Sequence, residues 1–269
     1  MPIGLAMLAN GGTGKRAENE NVSSLSPVGL AFYMLVITGA FAVRSAAGFG
    51  AVLIALPMLA FVMPVPTAVS VTTALTAITS VHQVGHHWRR VAWAQFAIIA
   101  FYSAIGIGIG FYFINLLDEH QLRRGLGVFL ILYALYALAT AGGSPVLPSG
   151  WRRALAAGTG IVGGVLGTLF GAGVGPIYVV YFNTLRMERE IFRVTMSTVL
   201  LLGGAARIAG YARLGFYETS SVVLIAIGLP LVVIGSWFGD RVIRKLNPRT
   251  FGWLVGALIL LSGFALLIN

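Results

Sequence analysis

Six glycines and a proline fall within the fourteen residues from Gly163 to Pro176, in the middle of an apolar run long enough to enter a bilayer. A glycine costs about 1 kcal/mol in a helix interior, and a proline removes a backbone donor. Inside a bilayer the groups so released meet no water, so the interruption has to face protein or a water-filled cavity. The stretch therefore reads as a broken helix. A weaker copy stands at Gly48-Phe49-Gly50-Ala51, followed by Pro57. Two broken helices in corresponding halves of a chain point to a transporter's binding site.

Composition sets the surroundings of these breaks. The 269 residues are 58% hydrophobic and 10% charged, whereas soluble domains carry about 25% charged residues. This is the composition of an all-α polytopic membrane protein. With no cysteine, disulfides, thiolate metal sites and thiol nucleophiles are excluded. The net charge of +10 sits in short loops between apolar spans, which is the positive-inside pattern and not a nucleic-acid footprint. Residues 1–27 read as a polar tail, without the basic start and long apolar core of a cleaved signal peptide.

Apolar segments run at 28–46, 51–63, 67–84, 91–114, 122–140, 152–170, 174–185, 192–212, 218–238 and 250–268. The second and seventh are shorter than the ~20 residues a spanning helix needs. The halves repeat. At an offset of 123, Gly48 and Gly50 fall on Gly171 and Gly173, Thr72 on Thr195, Arg90 on Arg213 and Trp93 on Phe216. At an offset of 129, Gly106 and Gly110 fall on Gly235 and Gly239. The expected organisation is a tail (1–27), a first membrane repeat (28–141), a linker (142–151) and a second repeat (152–269). If the short segments cross, ten spans divide the loop and tail cations eleven to five between the two sides; if they merge with their predecessors, eight spans divide them nine to seven. The positive-inside rule favours ten. Repeats of five segments are necessarily inverted, with both termini outside the cytoplasm.

The glycine-rich break Phe170-Gly171-Ala172-Gly173-Val174-Gly175-Pro176, its copy from Gly48 to Pro57, and the matched positions Arg90/Trp93 and Arg213/Phe216 together resemble the sulfite exporter TauE/SafE family over roughly residues 30–268. The first copy departs from the pattern at Ala51 and Val52. The resemblance implies a multi-pass permease of the bacterial inner membrane, exporting sulfite or an organosulfonate. It does not fix the substrate.

The candidate site follows from the breaks. Half-helices starting near Ala51 and Val174 would offer unpaired N–H groups and positive dipole ends to a small anion. The expected substrate contacts are Gly48, Phe49, Gly50 and Ala51 in one break and Gly171, Ala172, Gly173 and Val174 in the other. The competing reading is that these glycines only let helices pack closely. Arg44 and Arg207 are candidate cationic ligands, because a guanidinium within a span is expensive and usually functional; snorkelling of Arg207, or a place for Arg44 at a helix end, is the alternative. Thr72, Thr73, Thr76 and Ser80, with Thr195, Ser197 and Thr198, offer hydroxyls, and the repeat pair Thr72/Thr195 is preferred. His82 is a proton-responsive group at a cavity mouth; His82 and His86 have too few companions for a metal site.

No Asp or Glu lies mid-span, so an acidic proton relay has no candidate. The expectation is a transporter, without cofactor or metal, whose partners are a small anion and the lipid bilayer, and for which homo-oligomerisation is open. An anion channel is the nearest rival. An integral-membrane enzyme lacks a catalytic constellation in this sequence, and a structural subunit would need no polar cavity between the breaks.

Overall fold

The computed structural model describes residues 26–47, 50–140, 151–171, 175–185, 187–241 and 248–268. Its regular structure is helical: α1 (Pro27–Ala47), α2 (Ala51–Leu59), α3 (Val65–His87), a 3-10 turn (Trp88–Arg90), α4 (Trp93–Ile114), α5 (Glu119–Thr140), α6 (Arg152–Leu169), α7 (Gly175–Thr184), α8 (Arg189–Arg213), α9 (Thr219–Arg241) and α10 (Pro248–Ile268). These ten α-helices coincide with the ten apolar segments, and most outrun them into the polar flanks. The tail before residue 26 and the linker at 141–150 lie outside the described residues.

α2 and α7 contain nine and ten residues. At 1.5 Å per residue each is about half as long as the ~30 Å hydrocarbon core. They are half-helices, and the helical parts are shorter than the apolar segments 51–63 and 174–185 that contain them. Among the described residues, four helices, α1, α4, α8 and α9, are long and apolar enough to cross a membrane. α3 has the length but not the hydropathy, because Thr72, Thr73, Thr76, Thr79, Ser80, His82 and Gln83 interrupt it. Its first half is enclosed: most residues from Val65 to Ala77 are buried. A polar helix enclosed by apolar ones is where a permeation path belongs.

The bundle is assembled through repeated crossings. α4 packs on α6 and α1 on α9, while α3 faces α8 and α5 faces α10. The glycines set the approach. A Cβ on Gly106 would run into the Ile161 carbonyl, and one on Gly235 into the Thr38 carbonyl. A Cβ on Gly110 would lie 3.0 Å from the Val165 carbonyl, and one on Gly239 would run into the Ala42 carbonyl. Thr38 and Ile161 are 123 apart, as are Ala42 and Val165; Gly106 and Gly235 are 129 apart, as are Gly110 and Gly239. The two crossings therefore use corresponding residues. Close backbone approach through small residues is the normal way helices associate without a hydrophobic driving force.

Trp88, Trp93, Trp151 and Trp237 are all at least half exposed and stand at or near helix ends, as expected of an interfacial belt.

Candidate functional site

The two breaks end differently. α1 stops at Ala47, and Gly50, with φ +95°, turns the chain into α2. α6 stops at Leu169; Phe170 caps it by donating its N–H to the Leu166 carbonyl at 2.8 Å, and Gly171 follows at φ +70°. A left-handed residue just past a helix C-terminus is the usual glycine cap. Gly50 and Gly171 are not counterparts at the 123-residue offset, and their counterparts Gly173 and Gly48 lie outside the described residues. Gly48, Phe49, Ala172, Gly173 and Val174 lie outside the described residues; the second half-helix begins at Gly175.

The breaks meet. A Cβ on Gly171 would lie 3.2 Å from Thr73 Oγ1, 3.4 Å from Val52 Cγ1 and 3.6 Å from Val69 Cγ1. Val52 is the second residue of α2, so the second break rests against the first turn of the first half-helix and the middle of α3. The α2 N-terminus has no side-chain cap, leaving its first N–H groups without a side-chain acceptor.

From this junction a polar stripe runs along α3. Thr73, Thr76, Ser80, Gln83 and His87 recur at three- and four-residue spacing, which keeps them on one face. Thr73, Thr76 and Ser80 are buried, Gln83 is half-buried and His87 exposed, so the stripe climbs from the interior to the surface. The hydroxyls of Thr73 and Thr76 have no hydrogen-bond partner. Buried hydroxyls are normally satisfied, so two adjacent exceptions beside a helix break call for a ligand or water.

The stripe opens into a cavity of about 560 Å³ at the end of the bundle where α1, α3 and α9 finish and α8 begins. Its polar lining includes Arg44, His82, Gln83, Glu190, Arg193 and Asp240. Arg44 is 6% exposed and donates to Ser80 Oγ at 2.8 Å. Arg193 donates to the Ser45 carbonyl at 3.1 Å, and Ser197 to Gln83 Oε1 at 2.7 Å. At the rim an ion pair joins Arg90 to Glu190.

The other expected residues fall elsewhere. Thr72 and Thr195 are fully buried but occupied: Thr72 donates to the Ala68 carbonyl at 2.6 Å, and Thr195 accepts from the Ala92 N–H at 3.0 Å, just before α4. The hydroxyl pair chosen by the repeat is thus already hydrogen-bonded, Thr72 within its own helix and Thr195 across to the start of α4, whereas the Thr73 and Thr76 hydroxyls are free. Arg207 is 1% exposed, so it does not snorkel. Its guanidinium faces the Tyr178 hydroxyl, away from the cavity lining. The side chain of His86 lies outside the described residues, and among those described no group of three or more His, Cys, Asp or Glu is placed to hold a metal. Sequence reasoning missed Arg193, Ser236 and Asp240 as cavity walls; the helix-end position of Asp240 at a shared end of the bundle was its one legible signal.

A multi-helix bundle in which one helix break rests against the first turn of a half-helix beside a buried polar stripe, with a cavity leading to it, is a multi-pass membrane transporter in class. A model of the sulfite exporter TauE/SafE family matches residues 33–266, and the chain belongs to that family. Neither curated proteins nor solved structures gave a match.

Proposed function

We propose that the chain exports a small sulfur-containing anion, sulfite or an organosulfonate, across the bacterial inner membrane by alternating access at the junction of the two breaks. The observation that carries this reading is the approach of Gly171 to Val52 and Thr73, which brings an uncapped half-helix N-terminus and a free hydroxyl to one buried point. Helix N-termini take oxyanions through backbone N–H groups without a cationic side chain.

Two inverted five-helix repeats account for the corresponding crossings of α4 on α6 and α1 on α9. In that topology the cation-rich ends are cytoplasmic. The cavity of Arg44, Arg193 and His82 is then the cytoplasmic vestibule, and the α3 stripe is the way from it to the junction. Arg44 and Arg193 gather anions there, and Glu190 and Asp240 keep the vestibule from holding them too tightly. His82 stands in the wall of that vestibule.

The test is uptake of labelled sulfite, taurine and sulfoacetate by proteoliposomes holding the purified protein, with and without a pH gradient. Saturable uptake that other sulfur anions compete is the expected result, and its dependence on the gradient defines the coupling. Folded protein that moves none of them would remove the substrate class.

A further inference from the structure

One charged group stands apart from both the vestibule and the junction. Arg207 lies on α8, six residues from its C-terminal end. Antiparallel packing of α3 and α8, with Gly204 against Ala77 and Ser197 bonded to Gln83, puts it level with Thr73. It is the largest fully buried side chain among those described. Its Nε and Nη1 have no hydrogen-bond partner. Gly203 makes room for it: a Cβ there would lie 3.3 Å from Nη1 and 3.4 Å from Nη2.

The surroundings supply donors but no counter-charge. The Arg207 head faces the hydroxyl of Tyr178, in the first turn of the half-helix α7. Ser103 donates to that same hydroxyl at 3.1 Å, so the tyrosine's own proton is available to a further acceptor. Tyr211, one turn beyond Arg207, is committed elsewhere and donates to the Thr168 carbonyl at 2.6 Å. All eight carboxylates of the chain stand in the tail, in loops or at helix ends. Among the described residues none pairs with Arg207. A guanidinium does not shed its proton, and an unpaired buried charge is strongly unfavourable.

We propose that Arg207 and Tyr178 form an occluded subsite whose missing counter-ion is the transported anion, held by a head group carrying a single negative charge. A sulfonate or hydrogensulfite neutralises Arg207. Sulfate, or sulfite as the dianion, leaves one negative charge buried beside it. The subsite therefore selects head groups by charge, and the rest of an organosulfonate can extend toward the α3 stripe. This inference rests on the transport reading and adds to it the charge state of the cargo.

Calorimetric titration of the full-length protein in detergent with methanesulfonate and with sulfate tests it. The wild type should bind methanesulfonate on the order of tenfold more tightly than sulfate. Arg207→Gln should lose tenfold or more of its methanesulfonate affinity, and Tyr178→Phe on the order of ten- to a hundredfold, the range of one hydrogen bond to a charged group. Equal affinity for the two anions, no methanesulfonate binding by the wild type, or an Arg207→Gln protein that folds and binds methanesulfonate as the wild type does would each overturn the subsite. Should Arg207→Gln fail to fold, the methanesulfonate-to-sulfate ratio of the wild type and the affinity of Tyr178→Phe decide the matter. Failure of the transport reading looks different: wild-type proteoliposomes would take up no sulfur anion at all.

Discussion

Gly171→Ala places one methyl group at the point where the two breaks meet, and its consequences can be worked out. Gly171 has φ +70°, a conformation that costs an L-residue about 1–2 kcal/mol. The new Cβ would touch Val52 and Val69 at 3.4 and 3.6 Å, ordinary contacts, and Thr73 Oγ1 at 3.2 Å, which is tight. The unbonded Thr73 hydroxyl can yield by a few tenths of an ångström or take threonine's second helical rotamer, so crowding adds up to about 1 kcal/mol. The expected loss is about 1–3 kcal/mol in total, a fall of several degrees in the thermal midpoint. Gly50→Ala is the matched comparison: φ is +95°, and among the described residues, its chain neighbours aside, no atom lies within 4 Å of the added carbon. It should show the backbone cost alone. Uptake separates the two further, because the Gly171 methyl fills the space between Thr73 and Val52 where the anion is proposed to sit. Gly171→Ala should lower uptake per reconstituted protein on the order of tenfold, the loss expected of about 1.4 kcal/mol of binding, and Gly50→Ala by less. Thr73→Ala added to Gly171→Ala should return the thermal midpoint toward that of Gly50→Ala. The assays are thermal unfolding in detergent and proteoliposome uptake. A Gly171→Ala protein that unfolds at the wild-type midpoint, or carries substrate at the wild-type rate, refutes the junction.

Two further outcomes follow from packing and topology. Gly164→Ala would drive a Cβ into the Ser103 carbonyl and to 2.8 Å from Gly106 Cα; overpacking the α4–α6 crossing should cost about 1–3 kcal/mol, read as a lower thermal midpoint. Gly158→Ala, exposed on the same helix with open space around it, should be neutral or stabilising by up to about 1 kcal/mol, and a like fall in both variants would show that small size is not what the crossing needs. Because the chain has no cysteine, single cysteines report sidedness directly: Arg89→Cys should react with a membrane-impermeant maleimide only from the cytoplasm and Leu116→Cys only from outside. Labelling of both from one side would exclude ten crossings with inverted halves.

Helix positions were legible because apolar length and loop charge are local properties, and the ten helices fall on the ten apolar segments. Helix ends were less so. α3 runs on to His87 and α8 starts at Arg189, since polar residues extend a helix once its apolar part is anchored, whereas hydropathy stops at the last apolar side chain. The matched glycines were legible for a different reason. Gly106, Gly110, Gly235 and Gly239 recur because each backbone comes close to a neighbouring carbonyl, and no larger residue can replace a glycine there.

The candidate site differs from the expected one in its side chains, and Thr72 against Thr73 shows why. The repeat matches Thr72 with Thr195, and repeat symmetry selects residues that hold both halves together; these two hydroxyls are consumed, one by the Ala68 carbonyl and one by the Ala92 N–H. A site for one asymmetric ligand gains from the residues that the symmetry does not copy. Thr73 has Met196 at its 123-residue counterpart, Thr76 has Val199, Arg44 has Gly167, and Arg207 has Val84. Every one of these unmatched polar groups is buried; Thr73, Thr76 and Arg207 keep polar atoms without a partner, and Arg44 lines the cavity. The glycines matched at the 129-residue offset sit at helix crossings and the Thr72/Thr195 pair in satisfied hydrogen bonds, whereas these buried polar residues without a counterpart keep free atoms or line the cavity, which is why the proposed site is drawn from them.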